Sequence, residues 1–240
     1  MRLTTVATPE AVHAKSAEGL ALLLRDALAR RGVAHFALTG GSSAGPVYTR
    51  LAGMLESWDG VHLWWGDERC VAPDDDEANF KIAVGALIEP AGIGADFVHR
   101  MRGELGPDAG AEAYAAELSE HVEARADDGM PVLDVIDLGL GPDGHVCSLF
   151  PEHPALDVAA ASVVGIADSP KPPPERVTLT LPVLRAARRC LLHTSGADRR
   201  DAIDALLGEP SPATPASLLE RARLTVVIDD AAAGQQRPSA

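Results

Sequence analysis

Residues 137–154 read DLGLGPDGHVCSLFPEHP. The stretch leaves an apolar run, VLDVIDLGL over 132–140, through a loop holding three glycines, an aspartate and a histidine, and then turns apolar again. Apolar residues occupy most of both faces of 132–140, the pattern of a strand covered on both sides in a parallel sheet. A glycine-rich loop at the carboxyl end of such a strand is where open α/β sheets bind ligands. Gly139, Gly141 and Gly144 satisfy G-x-G-x-x-G, but the dinucleotide reading fails on context. Pro142 and Asp143 set a carboxylate where a pyrophosphate would approach, and only a short segment precedes Pro151. What remains is Asp143-Gly144-His145, a histidine on a tight loop with a carboxylate close enough to orient it. Imidazole is the side chain whose ordinary pKa suits proton transfer near neutrality.

Outward from this strand the chain alternates. Thr8-Pro9-Glu10 is an N-cap followed by proline at the first helical position, and Val12, Leu20, Leu23, Leu24, Ala27 and Leu28 recur at helical spacing until Gly32. VAHFALT (33–39) and VHLWW (61–65) read as strands flanking a helix at 45–57, a βαβ unit. A helix at 77–88, a short strand around 96–101 and an Ala/Glu-rich helix over 107–126 follow. Beyond the quoted stretch, strands are expected at 162–166, 176–181, 189–194 and 223–228, with a helix at 197–207. The implied class is α/β, three layers around a mainly parallel, Rossmann-like sheet. No repeat or linker divides residues 1–240, so one domain is expected, with a C-terminal tail that frays from about 232. SPKPPPER (169–176) reads as an extended loop that either covers a site or merely joins two strands.

The 240 residues are 46% hydrophobic and 23% charged, the mix of an ordinary globular protein. A net charge of −14 without any lysine- or arginine-rich run argues against a nucleic-acid partner. For a small anionic substrate the same charge is a long-range cost, so a phosphate site needs a local cluster of arginines and backbone N–H groups. Cys70, Cys147 and Cys190 lack CxxC spacing and read as reduced thiols of a cytosolic protein. The first twenty residues lack an apolar signal core and no stretch of 18 apolar residues occurs, so a cytoplasmic location without a membrane partner is expected. Asp74-Asp75-Asp76 reads as a solvated turn, since its spacing matches no calcium or zinc motif.

Three further loops follow strands. TGGSSAG (39–45) places Gly40, Gly41, Ser42 and Ser43 before a helix, where close backbone approach and free N–H groups suit an anion, although the Gly-Lys-Ser/Thr of a nucleotide loop is lacking. GDER sets Asp67, Glu68 and Arg69 after two tryptophans. Arg69 there can grip a phosphate through two parallel hydrogen bonds, and Asn79 can reach back to the same pocket. TSGADRRDA (194–202) offers Arg199 and Arg200 at a helix start, one of them as a second phosphate cation.

Together and in this order, the segments resemble the 6-phosphogluconolactonases of the glucosamine-6-phosphate isomerase/6-phosphogluconolactonase family. The family's GGS-T/S loop is similar to Gly40-Gly41-Ser42-Ser43, with Tyr48 following, and its GDER segment to Gly66-Asp67-Glu68-Arg69, with Asn79 downstream. Its G-x-G-x-DGH-x-x-SLFP signature runs here from Gly139 to Pro151. Arg176-Val177-Thr178-Leu179-Thr180 and Pro215-Ala216-Ser217 fit later segments. Two departures are Ala44 and Gly45, where many members have a proline, and Arg199, where a lysine is common. The resemblance implies the fold shared with glucosamine-6-phosphate deaminases and ribose-5-phosphate isomerases, and hydrolysis of a sugar-phosphate δ-lactone with no cofactor or metal.

On that resemblance His145 activates the water, with Asp143 or Asp67 orienting it and backbone N–H groups of either the Gly40-Gly41 or the Gly139–Gly144 loop meeting the oxyanion. Arg69 and Arg199, with Ser42 and Ser43, hold the 6-phosphate, and Asp67, Asn79 and Arg176 complete the substrate site. The implied partner is the sugar-phosphate lactone alone, and the assembly a monomer or weak homodimer. Related deaminases follow their DGH with I-A-F-N-E-P, whereas Val146-Cys147-Ser148-Leu149-Phe150-Pro151 stands here, without the Asn-Glu pair. A non-catalytic sugar-phosphate-binding regulator is disfavoured by the intact Asp143-Gly144-His145 and by the lack of a DNA-binding module.

Overall fold

The computed structural model describes residues 1–234. Its strands are β1 (Arg2–Val6), β2 (Ala34–Leu38), β3 (Val61–Trp65), β4 (Asp67–Arg69), β5 (Val135–Gly139), β6 (Val163–Ile166), β7 (Arg176–Leu179), β8 (Arg189–Thr194) and β9 (Leu224–Asp229). The helices are α1 (Pro9–Arg31), α2 (Ala44–Leu51), α3 (Asn79–Ala83), α4 (Glu89–Ala91), α5 (Pro107–His121), α6 (Leu181–Ala186), α7 (Arg200–Leu207) and α8 (Asp230–Ala233). Six strands form a parallel sheet in the order β1-β9-β8-β5-β2-β3. β5 lies inside it, and Val135, Ile136, Asp137 and Leu138 are all buried, as the two-faced apolar pattern requires.

Local chemistry accounts for the best-defined helix. Thr8 Oγ1 accepts the Ala11 N–H at 3.3 Å, Pro9 opens α1, and Gly32 closes it at φ +72°, donating its N–H to Leu28 O. The buried side of α1, Val12, Leu20, Ala21, Leu24 and Ala27, packs on β8, β9 and α2.

A second sheet, β4-β7-β6, is antiparallel and backed by α5. β4 continues the path of β3 past a one-residue break at Gly66, whose N–H donates to Leu38 O and whose carbonyl accepts from Leu179. The small sheet therefore stands beyond the carboxyl ends of the large one, as a wall over them.

Several boundaries differ from the sequence expectation. The strand expected around 96–101 is absent. A 3-10 turn, Ala95–Phe97, precedes a single bridge between Leu63 and Val98, and the chain then leaves β3 to pass Arg69 at Gly103, where an added Cβ would lie 2.2 Å from Arg69 O. The helix at 45–57 stops at Leu51, and the one at 107–126 stops at His121. The strand at 176–181 ends at Leu179 because Leu181-Pro182 begins α6. β1 lay outside the expected elements. The tail expected to fray from about 232 is ordered at its start: Ala232 and Ala233 are buried in α8, capped by Asp229 Oδ1 on the Ala232 N–H at 2.9 Å. Residues 235–240 lie outside the described residues.

Candidate active site

Strand order decides where the loops meet. From β2 the chain runs out through α2 to β3, whereas β5 has β8 on its other side, so the loops after β2 and β5 diverge. A crevice opens at such a divergence, beyond the carboxyl ends. Here it is a cavity of about 320 Å³. Gly40, Gly41, Ser42 and Ser43 wall it after β2, Gly139 to Pro142 and His145 after β5, and Ser195 and Arg199 after β8. Asp67, Arg69 and Arg176 of the small sheet close the far side, with Asn79 behind them.

The Gly139–His145 loop is closed by two backbone bonds of 3.0 Å, Gly141 N–H to His145 O and Gly144 N–H to Gly141 O. Gly144 turns at φ +82°, and a Cβ on Gly141 would lie 1.9 Å from His145 Nδ1. Only glycine at 141 lets the imidazole fold back over its own loop. There His145 Nδ1 meets Asp143 Oδ1 at 2.5 Å. Burial opposes charge on Asp143, but the hydrogen bond and charge of His145, followed by those of Lys171, outweigh it and hold the carboxyl well below its usual range. An ionised carboxylate only accepts, so the shared proton sits on Nδ1, and in the neutral ring the lone pair is on Nε2. Nε2 has no hydrogen bond among the described residues, and the ring lines the cavity with Phe150 packed behind it at 4.9 Å. Of the two carboxylates the sequence left open, Asp143 makes this contact. Asp67 is buried and committed elsewhere, accepting from Ser148 Oγ at 2.7 Å.

The proline-rich loop covers the site. Lys171 Nζ lies 3.0 Å from Asp143 Oδ2 and 3.1 Å from His145 Nδ1. Since both nitrogens are donors, the bond is to the carboxylate. Arg176, itself buried, pins the loop: its Nε donates to Pro173 O at 3.1 Å, and one Nη to Pro172 O at 2.9 Å and Lys171 O at 3.2 Å. The guanidinium assigned to substrate from sequence therefore spends two of its nitrogens on loop carbonyls, leaving the third 3.9 Å from Asp67 Oδ2.

The other residues are held from below. The Thr39 N–H donates to Tyr48 Oη at 2.7 Å, Tyr48 donates to Asp137 Oδ2 at 2.9 Å, and His193 Nε2 sits 3.2 Å from Asp137 Oδ1. This buried network supports the Gly40-Gly41 turn. Glu68 accepts the Asn79 and Phe80 N–H groups at 2.7 Å each, anchoring the start of α3, and Asn79 Nδ2 donates to Asp67 O at 2.8 Å. Asn79 Oδ1 is buried without a hydrogen bond, and an added Cβ on Gly40 would lie 1.8 Å from it. Arg199 Nε donates to Leu140 O at 3.0 Å at the cavity edge, whereas Arg200 turns away to Ala231 O. Burial, then the charge of Asp67, pushes the Cys147 thiol well above its ordinary range, so it is no thiolate nucleophile.

Of the candidates from sequence, all but Arg200, the alternative to Arg199, border the cavity or touch His145. Lys171, His193 and Asp137 were missed. Asp137 and His193 did carry a signal, as ionisable residues inside apolar strands. Lys171 is the only lysine in its proline run, but its reach across to Asp143 depends on tertiary folding alone.

The family model described as glucosamine-6-phosphate isomerases/6-phosphogluconolactonase matches residues 7–228. The 6-phosphogluconolactonase of Streptomyces coelicolor is 41% identical over 221 residues, 88% of this chain and 85% of that one. A 6-phosphogluconolactonase from Trypanosoma brucei, 25% identical, superposes with a TM-score of 0.85 over 98% of each chain. A monomeric glucosamine-6-phosphate deaminase, 19% identical, shares the fold with a TM-score of 0.78. With a match that runs from α1 into β9 and takes in all four strand-end loops, the chain belongs to the glucosamine-6-phosphate isomerase/6-phosphogluconolactonase family.

Proposed function

We propose that this chain hydrolyses 6-phosphoglucono-1,5-lactone to 6-phosphogluconate. The observation that carries the reading is an imidazole with its Nε2 free, oriented by Asp143, in a cavity bordered by Arg69, Lys171, Arg176 and Arg199. Four cations in one cavity of a chain with net charge −14 form the local cluster that a phosphorylated substrate requires.

His145 Nε2 removes a proton from water as the water oxygen bonds to C1 of the lactone. The carbonyl electrons move to the exocyclic oxygen, which backbone N–H groups of the glycine loops meet. Collapse breaks the bond from C1 to the ring oxygen, and the proton held on Nε2 passes to that oxygen. Arg199 and Arg69, with Ser42 and Ser43 at the start of α2, hold the phosphate and so set the carbonyl over the histidine. The bond to His145, with Lys171 beside it, keeps Asp143 ionised, and the ionised carboxylate fixes the Nδ1–H tautomer.

A deaminase-isomerase would need a carboxylate base free at the sugar carbons. Asp67, the other carboxylate at the cavity, accepts from Ser148 at Oδ2, and Leu149-Phe150 stand where related deaminases carry their Asn-Glu pair. Offering the purified protein both substrates tests the reading: acid should form from 6-phosphogluconolactone faster than spontaneous opening, unaffected by EDTA, with no ammonia from glucosamine 6-phosphate. Ammonia without accelerated lactone opening would overturn it, and sugar-phosphate binding with neither product would point to a regulator.

A further inference from the structure

A second cluster of chemistry-bearing residues sits away from the cavity, toward the amino-terminal end of β3. We propose that His99, Glu117 and His121 form a binding site for a divalent transition metal of the zinc, nickel or copper type.

One ligand atom from each residue lies within 4.8 Å of the other two. Glu117 and His121 are four residues apart on α5 and share one face of it. His99 comes from the connection before α5, where its N–H is held by Leu63 O at 2.9 Å. Its Nδ1 already faces Glu117 Oε1 at 2.8 Å. The ring is clamped flat on Trp64, with centroids 4.1 Å apart and planes 9° from parallel. Its other nitrogen, Nε2, lies 2.9 Å from His62 Nδ1. A partner of that kind fixes the tautomer and direction of a metal-bound histidine. The His121 ring lies 4.6 Å from that of His99, tilted by 46°, and neither of its ring nitrogens has a hydrogen bond among the described residues.

Two imidazoles and one carboxylate are a zinc donor set with a fourth position left for solvent. Imidazole donors select zinc, copper and nickel over magnesium and calcium, which prefer oxygen. The site is partly open, since His99 is buried, Glu117 half-buried and His121 exposed, so an ion can enter without unfolding. A bound ion would tie α5 to the edge of the parallel sheet. The assignment does not depend on lactone hydrolysis.

Metal-free protein titrated with Zn²⁺ in equilibrium dialysis should take up one equivalent at micromolar free metal. His121→Ala and Glu117→Gln should each weaken that binding at least tenfold with unchanged circular dichroism, whereas His145→Gln should leave it intact. Cu²⁺ should quench the fluorescence of Trp64, with the quench lost in Trp64→Phe. His121→Cys, which keeps a donor atom, should give the near-ultraviolet thiolate-to-metal band on adding Co²⁺. Wild-type zinc binding in both the His121 and Glu117 variants would overturn the assignment, as would loss of binding in His145→Gln or no cobalt–thiolate band in a folded His121→Cys protein.

Discussion

Asp143→Asn separates an orienting carboxylate from a bystander. In the structure Asp143 Oδ1 takes the proton of His145 Nδ1 at 2.5 Å, while Oδ2 holds Lys171 at 3.0 Å. Asparagine keeps the shape but removes the charge, so the imidazole is free to place its proton on either nitrogen and Lys171 is left beside it with no anion between. A hydrogen bond to a charged group contributes about 1.5–3 kcal/mol. If that contribution is made to the transition state, where His145 becomes a cation, kcat should fall about 10- to 150-fold. KM should change less than about threefold, since Asp143 acts on the histidine and not on the phosphate. The assay is proton release from freshly generated 6-phosphogluconolactone in lightly buffered solution at low temperature, with the spontaneous rate subtracted. Because Asp143 acts through His145, the Asp143→Asn/His145→Gln double variant should be no slower than His145→Gln alone. Turnover within twofold of wild type, or losses that multiply in the double variant, would refute the reasoning.

His145→Gln should lower kcat by roughly 10²–10⁴ with the fold intact by circular dichroism. Arg199→Ala and Arg69→Ala should raise KM, with a smaller loss of kcat because phosphate binding also positions the carbonyl; unchanged affinity for 6-phosphogluconate in both would remove them from the phosphate site. Gly141→Ala places a methyl 1.9 Å from His145 Nδ1, so the ring must swing out and activity should drop to near the His145→Gln level while the melting temperature changes little. For stability against pH the group to follow is His35, buried beside Trp64, whose indole N–H donates to the ring Nδ1 at 3.1 Å, while the His35 backbone N–H donates to Asp134 Oδ2 at 2.8 Å. Burial, then repulsion from His62, His99 and His121, lowers it from 6.5 to about 4. The unfolded chain therefore takes up a proton below 6.5 that the folded protein refuses until about 4, and stability is lost as pH falls through that window, by roughly 3 kcal/mol in full. Urea unfolding at a series of pH values should show this slope, and His35→Asn, which keeps an acceptor for Trp64, should flatten it.

The parts of the fold legible in sequence are those set by neighbours along the chain. α1 carries its own cap, its proline and its terminal glycine, and β5 carries its two apolar faces, so both are fixed locally. β1 and β4 are not. Arg2–Val6 is half exposed and polar on one side, and it is a strand only because β9 offers an open edge. Asp67–Arg69 is three charged residues, made a strand by pairing with β7 more than a hundred positions away. Residues 96–101 have strand composition without a partner that runs their length, and they make one bridge. Pairing partners, not propensity, decide these segments.

The site divides along the same line. Its glycines, His145 and the arginines sit at strand ends, where backbone constraint and chemistry coincide in a short motif. The residues that set the state of His145 come from further off. Asp143 is two positions away and could be paired with it from the motif, but Asp67 could be set aside only once Ser148, from the loop after β5, was seen to hold it at 2.7 Å. Lys171 reaches Asp143 because Arg176 bends the intervening prolines back across the cavity. That bend follows from β7 pairing with β4, which places Arg176 opposite Arg69 in the small sheet. Antiparallel pairing of Asp67–Arg69 with Arg176–Leu179 thus builds the arginine-bearing wall of the cavity, and by the same register it brings Lys171 onto Asp143, the carboxylate bonded to His145.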